Sequence, residues 1–272
     1  MAPDSEPQSH TRRALQWRAC GAARIERETP SEAAVGISFD GRPHTVLMAT
    51  PADLADLAVG FTLTEGVAGP DDITEVVAQA TAEGHLVDVR LRPSVRRRVA
   101  RPRTLEGRSS CGLCGVQRLA DAVRSLPRVA AGAAFAHEAV QRAVLSLDDR
   151  QPLGRRTRAT HAAAFADRDG SIRMAREDVG RHNALDKLAG GLAREGLDPA
   201  AGFVVVTSRC SFEMVEKTAR MGCPMIVAVS APTDLAIRKA EEAGVTLVAL
   251  ARADGHAVFS HAERLIGALQ PA

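Results

Sequence analysis

Tyrosine is absent from this 272-residue chain, tryptophan occurs once, and aromatic residues make up only 3%. So few rings cannot build the stacking platforms that hold single-stranded nucleic acid, and the core must be filled by Ala, Val, Leu and Ile. An excess of one charge is also lacking. Thirty-five Lys and Arg face 33 Asp and Glu, a net charge of +2, which excludes a general polyanion binder and an acidic disordered chain. No run approaches the roughly 18 consecutive apolar residues of a membrane helix. The segment after Arg12-Arg13, ALQWRAC, is too short for a leader core and is broken by Arg18. These absences predict a cytoplasmic protein with no membrane and no nucleic-acid partner. The five cysteines are an odd number in a chain long enough to bury a core unaided. A disulfide framework is therefore not expected, and closely placed cysteines point to metal binding or thiol chemistry.

The polar N-terminus, residues 1–23, is expected to be disordered. A smaller mixed, β-rich part follows over residues 24–100. In it AVGISFDG and RPHTVLMAT read as strands around a turn at Asp40-Gly41, and LVDVRLRP reads as a further strand. Thr50 followed by Pro51 reads as the N-cap and first position of a helix carrying Leu54, Leu57, Ala58 and Phe61 on one face. Residues 101–116 read as a mobile basic loop bearing a CxxC, with Arg96, Arg97, Arg98, Arg101, Arg103 and Arg108 crowding its approach.

Residues 117–272 read as an α/β domain. A helix is expected over 116–126, another over 139–147, a hairpin over 160–177 and a helix over 183–194. FVVVTS, PMIVAVS and VTLVAL are buried strands separated by amphipathic helices that Gly222 and Gly244 close. That pattern predicts βαβαβ with parallel strands, and ligands of such sheets sit beyond the strands' carboxyl ends. Here those ends are Thr207-Ser208-Arg209, Ser230-Ala231-Pro232 and Leu250-Ala251-Arg252.

Three segments could carry chemistry. Cys111 and Cys114, in SSCGLCG, admit three readings: half of a zinc site, a thioredoxin-type redox pair, or a nucleophilic thiol. A helix N-terminus and the upstream arginines would activate such a thiol. A closed zinc site wants four ligands, and this chain has a single CxxC. A zinc deaminase is a weakened rival by its own signature: Ser110 stands where its proline belongs, and His137-Glu138 falls after the cysteines at the wrong spacing. The second segment is REDVGRHNALDK, 176–187. Gly180 allows a turn, Asn183 and Asp186 suit a loose capping box, and Arg181, His182 and Lys187 could meet a phosphate or carboxylate. In the third, SRCSFEMVEK, Ser208 and Ser211 could offer an anion their hydroxyls and the following helix N-terminus, while Cys210 reads as a small apolar filler.

Together these segments resemble the formate dehydrogenase accessory sulfurtransferases, the FdhD family. The matching pieces are TEG at 64–66, SSCGLCG at 109–115, THAAAF at 160–165, EDVGRHNALDK at 177–187, SRCSFEMVEKTARMGCP at 208–224, VAVSAPTDLAI at 227–237 and AGVTLVALAR at 243–252. They run in order from about residue 24 to about residue 266. The resemblance implies a cytidine-deaminase-like α/β fold without the zinc, a smaller β-rich part, and a homodimer with no structural metal. It also implies a sulfur carrier that a cysteine desulfurase loads with persulfide on Cys111, with Cys114 as partner. The client would be the molybdenum or tungsten bis-pterin guanine dinucleotide cofactor of the formate dehydrogenase catalytic subunit, with GDP as a mimic. The cofactor-contacting stretch falls on Leu250, Ala251, Arg252, Ala253, Asp254 and Gly255. Leu250 and Ala253 stand where relatives carry an aromatic residue and a glycine. A chaperone that holds the cofactor without moving sulfur is the alternative.

Overall fold

The computed structural model describes residues 7–96 and 125–267. Its first element differs from expectation. Strands β1 (Ser9–Arg18) and β2 (Gly21–Pro30) pair antiparallel along their whole length, so residues 9–23 are an ordered arm and not a disordered tail. Nearly every side chain on the arm is exposed, including Leu15 and Trp17. Ser31 fastens its base through its amide to Gln8 O, and Arg156 pairs with Glu28. The ladder's backbone pairing, not burial, makes these residues strands, and burial is what a hydrophobic pattern reports.

Strands β3 (Ala33–Phe39), β4 (Arg42–Ala49), β5 (Ile73–Thr81) and β6 (Gly84–Leu91) form a sheet in the order β4-β3-β6-β5. Asp40 and Gly41 both have positive φ, as a tight hairpin turn requires. Helix α1 (Leu54–Thr64) covers one face, burying Leu54, Leu57, Ala58 and Phe61 against Val35, Ile37, Val87 and Val89. The helix begins at Leu54 and not at Pro51. Thr50 is not its cap, because remote groups claim it: its amide donates to Asp178 and its hydroxyl accepts from the amide of Val179. The four-residue helix α2 (Pro93–Arg96) follows β6.

The second half holds a mixed six-stranded sheet ordered β13-β12-β11-β10-β8-β9. Its strands are β8 (His161–Asp167), β9 (Ile172–Asp178), β10 (Gly202–Val206), β11 (Met225–Ala228), β12 (Thr246–Arg252) and β13 (Gly255–Ser260). The parallel trio β10-β11-β12 is as the apolar runs predict. The sheet is not parallel throughout, since β8 and β13 run antiparallel to their neighbours. A short parallel pair, β7 (Phe135–Ala136) and β14 (Leu265–Ile266), lies apart from it.

Helices α3 (His137–Ser146) and α4 (Pro152–Thr157) precede the sheet. The apolar side of α3, Ala139, Val140 and Ala143, packs on one face with Phe203, Val205, Val227 and Val248. Helices α5 (Arg181–Glu195), α6 (Phe212–Arg220) and α7 (Asp234–Ala243) cover the other face. Small residues let these layers close without aromatics. Where α1 crosses α5, Gly60 and Gly190 bring the backbones into contact: a Cβ on Gly60 would stand 1.6 Å from Asp186 O, and one on Gly190 1.9 Å from Asp56 O. This crossing joins the small sheet to the large one. Asp56 adds ion pairs to Arg176 and Arg194. Of the helix expected over 116–126, only Ser125 and Leu126 lie among the described residues, and neither is helical.

Candidate functional site

Cys111 and Cys114 lie outside the described residues. The other three cysteines are free thiols in different settings. Cys20 is exposed in the turn of the β1–β2 arm. Cys210 and Cys223 are fully buried, and burial pushes both thiols up to about 12. Neither is a thiolate near neutrality, so neither is a nucleophile. Cys210 is the apolar filler its sequence context suggested. Among the described residues no group of three or more His, Cys, Asp or Glu is placed to hold a metal ion.

The carboxyl ends of β10, β11 and β12 line up as one edge. The amide of Cys210 donates to Ala231 O, that of Thr233 to Cys210 O, and that of Leu250 to Ser230 O. The stretch Leu250–Gly255 forms the end of β12, the turn at Ala253-Asp254 and the start of β13. Leu250 is 43% exposed and sits at φ 53°, in an irregularity of the ladder, a conformation that costs a bulky residue strain. Arg252, Ala253 and Asp254 are exposed, whereas Ala251 is buried in the core and can offer a ligand only its backbone.

The polar stretch 176–187 is largely consumed by the structure, and this corrects several sequence-based roles. Asp178 is a buried hub whose carboxylate accepts from the amides of Thr50 and Gly180 and from Asn183 Nδ2. Lys187 pairs with it at 2.7 Å, both side chains fully buried, so Lys187 is not free for a phosphate. Asn183 is not a cap: α5 starts at Arg181 with Gly180 ahead of it, and Asn183 reaches across to Met48 O. Asp186 is no capping-box member either. Its buried carboxylate accepts from Thr64 and from Lys217, which also donates to Glu65 and Thr64. Burial alone would lower the Lys217 ammonium, but Asp186 and Glu65 outweigh it and hold it up at about 12. The TEG segment is thus the anchor of this knot. Glu177 binds the amides of Leu153 and Gly154 at the start of α4.

Arg181 and His182 are what remains. Burial, then Lys217 and Arg181, push His182 down to about 3, so it is neutral. Burial and then Arg181 lower His161, the first residue of β8, which pairs in register with Asp178. Ser208 is buried and donates to Arg209 O. Ser211 precedes α6 but makes no side-chain cap. A cleft of about 880 Å³ between the two halves, which the sequence did not signal, is lined by His44, Leu63, Val67 and Arg220. Val95 and Pro127, which flank residues 97–124, line it as well.

The FdhD/NarQ family profile matches residues 30–266. A "Sulfur carrier protein FdhD" of Cupriavidus necator is 43% identical over 267 residues, covering 97% of this chain and 93% of that one. Proteins of the same name from Bordetella bronchiseptica and Agrobacterium fabrum are 46% and 45% identical, each covering 89% of this chain and 87% and 90% of their own. The crystal structure of a formate dehydrogenase accessory protein from Desulfotalea psychrophila superposes with a TM-score of 0.77 at 23% identity, covering 96% of this chain and 100% of that one, and shares its fold. On the profile match and these full-length relatives together, the chain belongs to the FdhD/NarQ family.

Proposed function

We propose that this chain is a sulfur carrier in the maturation of a formate dehydrogenase, with Cys111 as the sulfur-bearing thiol and Cys114 as its partner. The elimination of the other cysteines carries this reading. Cys20 lies outside the family match, and Cys210 and Cys223 are buried, protonated thiols. Only the CxxC is left for the chemistry that the relatives' name describes. In loading, the Cys111 thiolate attacks the outer sulfur of a cysteine desulfurase persulfide. A new S–S bond forms, the old one breaks, and the desulfurase cysteine leaves as thiolate. In delivery, the acceptor supplies an electron pair to the outer sulfur, so that an acceptor–sulfur bond forms as the S–S bond breaks and Cys111 leaves as thiolate.

The client is the molybdenum or tungsten bis-pterin guanine dinucleotide cofactor, presented along the carboxyl edge of β10, β11 and β12 beside Leu250–Gly255. The strand-end rule for parallel sheets and the exposed, left-handed Leu250 support that placement. The test is mass spectrometry after incubation with a cysteine desulfurase and cysteine, together with formate dehydrogenase activity in cells. The Cys111 peptide gains the mass of one sulfur atom, and Cys111→Ala loses both the adduct and the dehydrogenase activity. Full activity in Cys111→Ala refutes the carrier reading and leaves a cofactor-holding chaperone.

A further inference from the structure

Buried polar groups in folded proteins almost always find a partner, so those that do not need a reason. Three such atoms belong to residues at the starts of α5 and α6: Arg181 Nε, His182 Nε2 and Ser211 Oγ are buried, with no hydrogen-bond partner among the described residues. Their common position follows from topology. Both β9 and β10 run antiparallel to β8, so α5 and α6 start at the same edge and run back side by side. The Lys217–Asp186 pair clamps the two helices, and His182 stands one turn above Asp186, close enough to feel the charge of Lys217. The contrast with α7 is informative. There Thr233 caps the helix by accepting from the amide of Ala236, whereas Ser211 ahead of α6 leaves its hydroxyl uncommitted.

The charges bear on the same point. Asp178 is matched by Lys187, and Asp186 and Glu65 by Lys217, whereas Glu213, buried in the first turn of α6, has no ion pair among the described residues. Arg181 has no carboxylate partner among the described residues. A positive fork, a neutral imidazole, a free hydroxyl and the unfilled N-terminus of a nine-residue helix are the donor set that phosphate oxygens accept from.

We propose that Arg181, His182 and Ser211 form a binding site for a phosphate or diphosphate group at the N-terminal ends of α5 and α6. Arg181 supplies the charge-assisted bond, while His182 and Ser211 donate to the remaining oxygens. Leu250–Gly255 lies further along the same edge, at the end of β12, which is two strands from β10 at about 4.8 Å per strand. A ligand filling both would carry anionic groups roughly 10 Å or more apart. The inference deepens the proposed function and rests on it only for the identity of the larger ligand.

Calorimetric titration of the full chain with pyrophosphate tests the site. Wild type is expected to bind, and Arg181→Gln to bind roughly ten- to a hundredfold more weakly, the worth of one charge-assisted bond. Arg181→Lys, which keeps the charge but changes the fork, should fall between them. Arg173→Gln, at the opposite end of β9, should bind as wild type does. Thermal midpoints of all four proteins confirm that they are folded. Equal affinity in wild type and both Arg181 variants, or no binding by wild type at millimolar pyrophosphate, overturns the site. Persulfide loading of the wild-type chain is read separately. Normal loading without pyrophosphate binding overturns this inference alone, and absent loading with pyrophosphate binding intact overturns the carrier reading alone.

Discussion

Replacing Lys217 by Met tests the knot that ties α1, α5 and α6 together. The ammonium of Lys217 lies within 3.2 Å of Thr64 Oγ1, Glu65 Oε1 and both oxygens of Asp186. Methionine fills a similar volume, so the loss is electrostatic and not a cavity. Glu65, partly exposed, can turn toward water. Asp186 cannot: it is buried and keeps only the Thr64 hydroxyl, at 2.6 Å. Breaking a buried pair from one side costs about 3–5 kcal/mol, a large part of the stability of an ordinary domain.

The loss should depend on pH, with a sign that follows from linkage. Burial already pushes the Asp186 carboxyl up, and Lys217 and Thr64 oppose it. Without Lys217 the folded-state value rises further above the unfolded ~3.9. Between those values the folded state binds the proton that the unfolded state has released, so the variant loses stability as pH rises. Urea unfolding followed by far-UV circular dichroism should therefore show a smaller deficit at pH 5 than at pH 8. Lys217→Met/Asp186→Leu, which removes both charges, should recover at least about 2 kcal/mol. A single variant within about 1 kcal/mol of wild type, or a double variant no better than the single, would refute this account of the knot.

Two further outcomes follow from packing. Gly60→Ala and Gly190→Ala each drive a methyl into a backbone carbonyl and should lower stability by more than the usual 1–3 kcal/mol of overpacking. Gly191→Ala, whose nearest neighbour is the movable sulfur of Met174, should cost less, and thermal melts of the three variants rank them. Brief alkylation of the native protein should modify Cys20 while sparing Cys210 and Cys223 until denaturant is added; rapid native labelling of either buried thiol, read by peptide mass spectrometry, would contradict their burial.

What the sequence revealed and what it concealed divides along a physical line. The strands β10, β11 and β12 were legible because strands covered on both faces read as continuous apolar runs, and the glycines that end α6 and α7 take the left-handed conformation expected of them. Local rules failed where a remote partner outbid a near one. Thr50, Asn183 and Asp186 all have the chemistry of helix caps, yet each bonds a residue more than a hundred positions away. The β1–β2 arm escaped notice because its alternation carries charge on both faces and buries almost nothing. The CxxC was legible as a motif, and so was the polarity of 176–187. The sequence could not say that Asp178, Asn183, Asp186 and Lys187 serve the fold while Arg181 and His182 are left over. Only burial and partner geometry separate them.

The exposed arm also decides how this protein can be watched. Its single tryptophan, Trp17, is 78% exposed on β1, and there is no tyrosine. Intrinsic fluorescence therefore comes from an indole that is already in water while the chain is native. Unfolding of either core should leave the emission maximum almost where it began, and a melt followed by fluorescence alone would look featureless for a protein that had lost its structure. The same circumstance makes Trp17 a selective beacon. A blue shift on mixing with another protein would mean that the arm itself had been covered, with no background from the rest of the molecule.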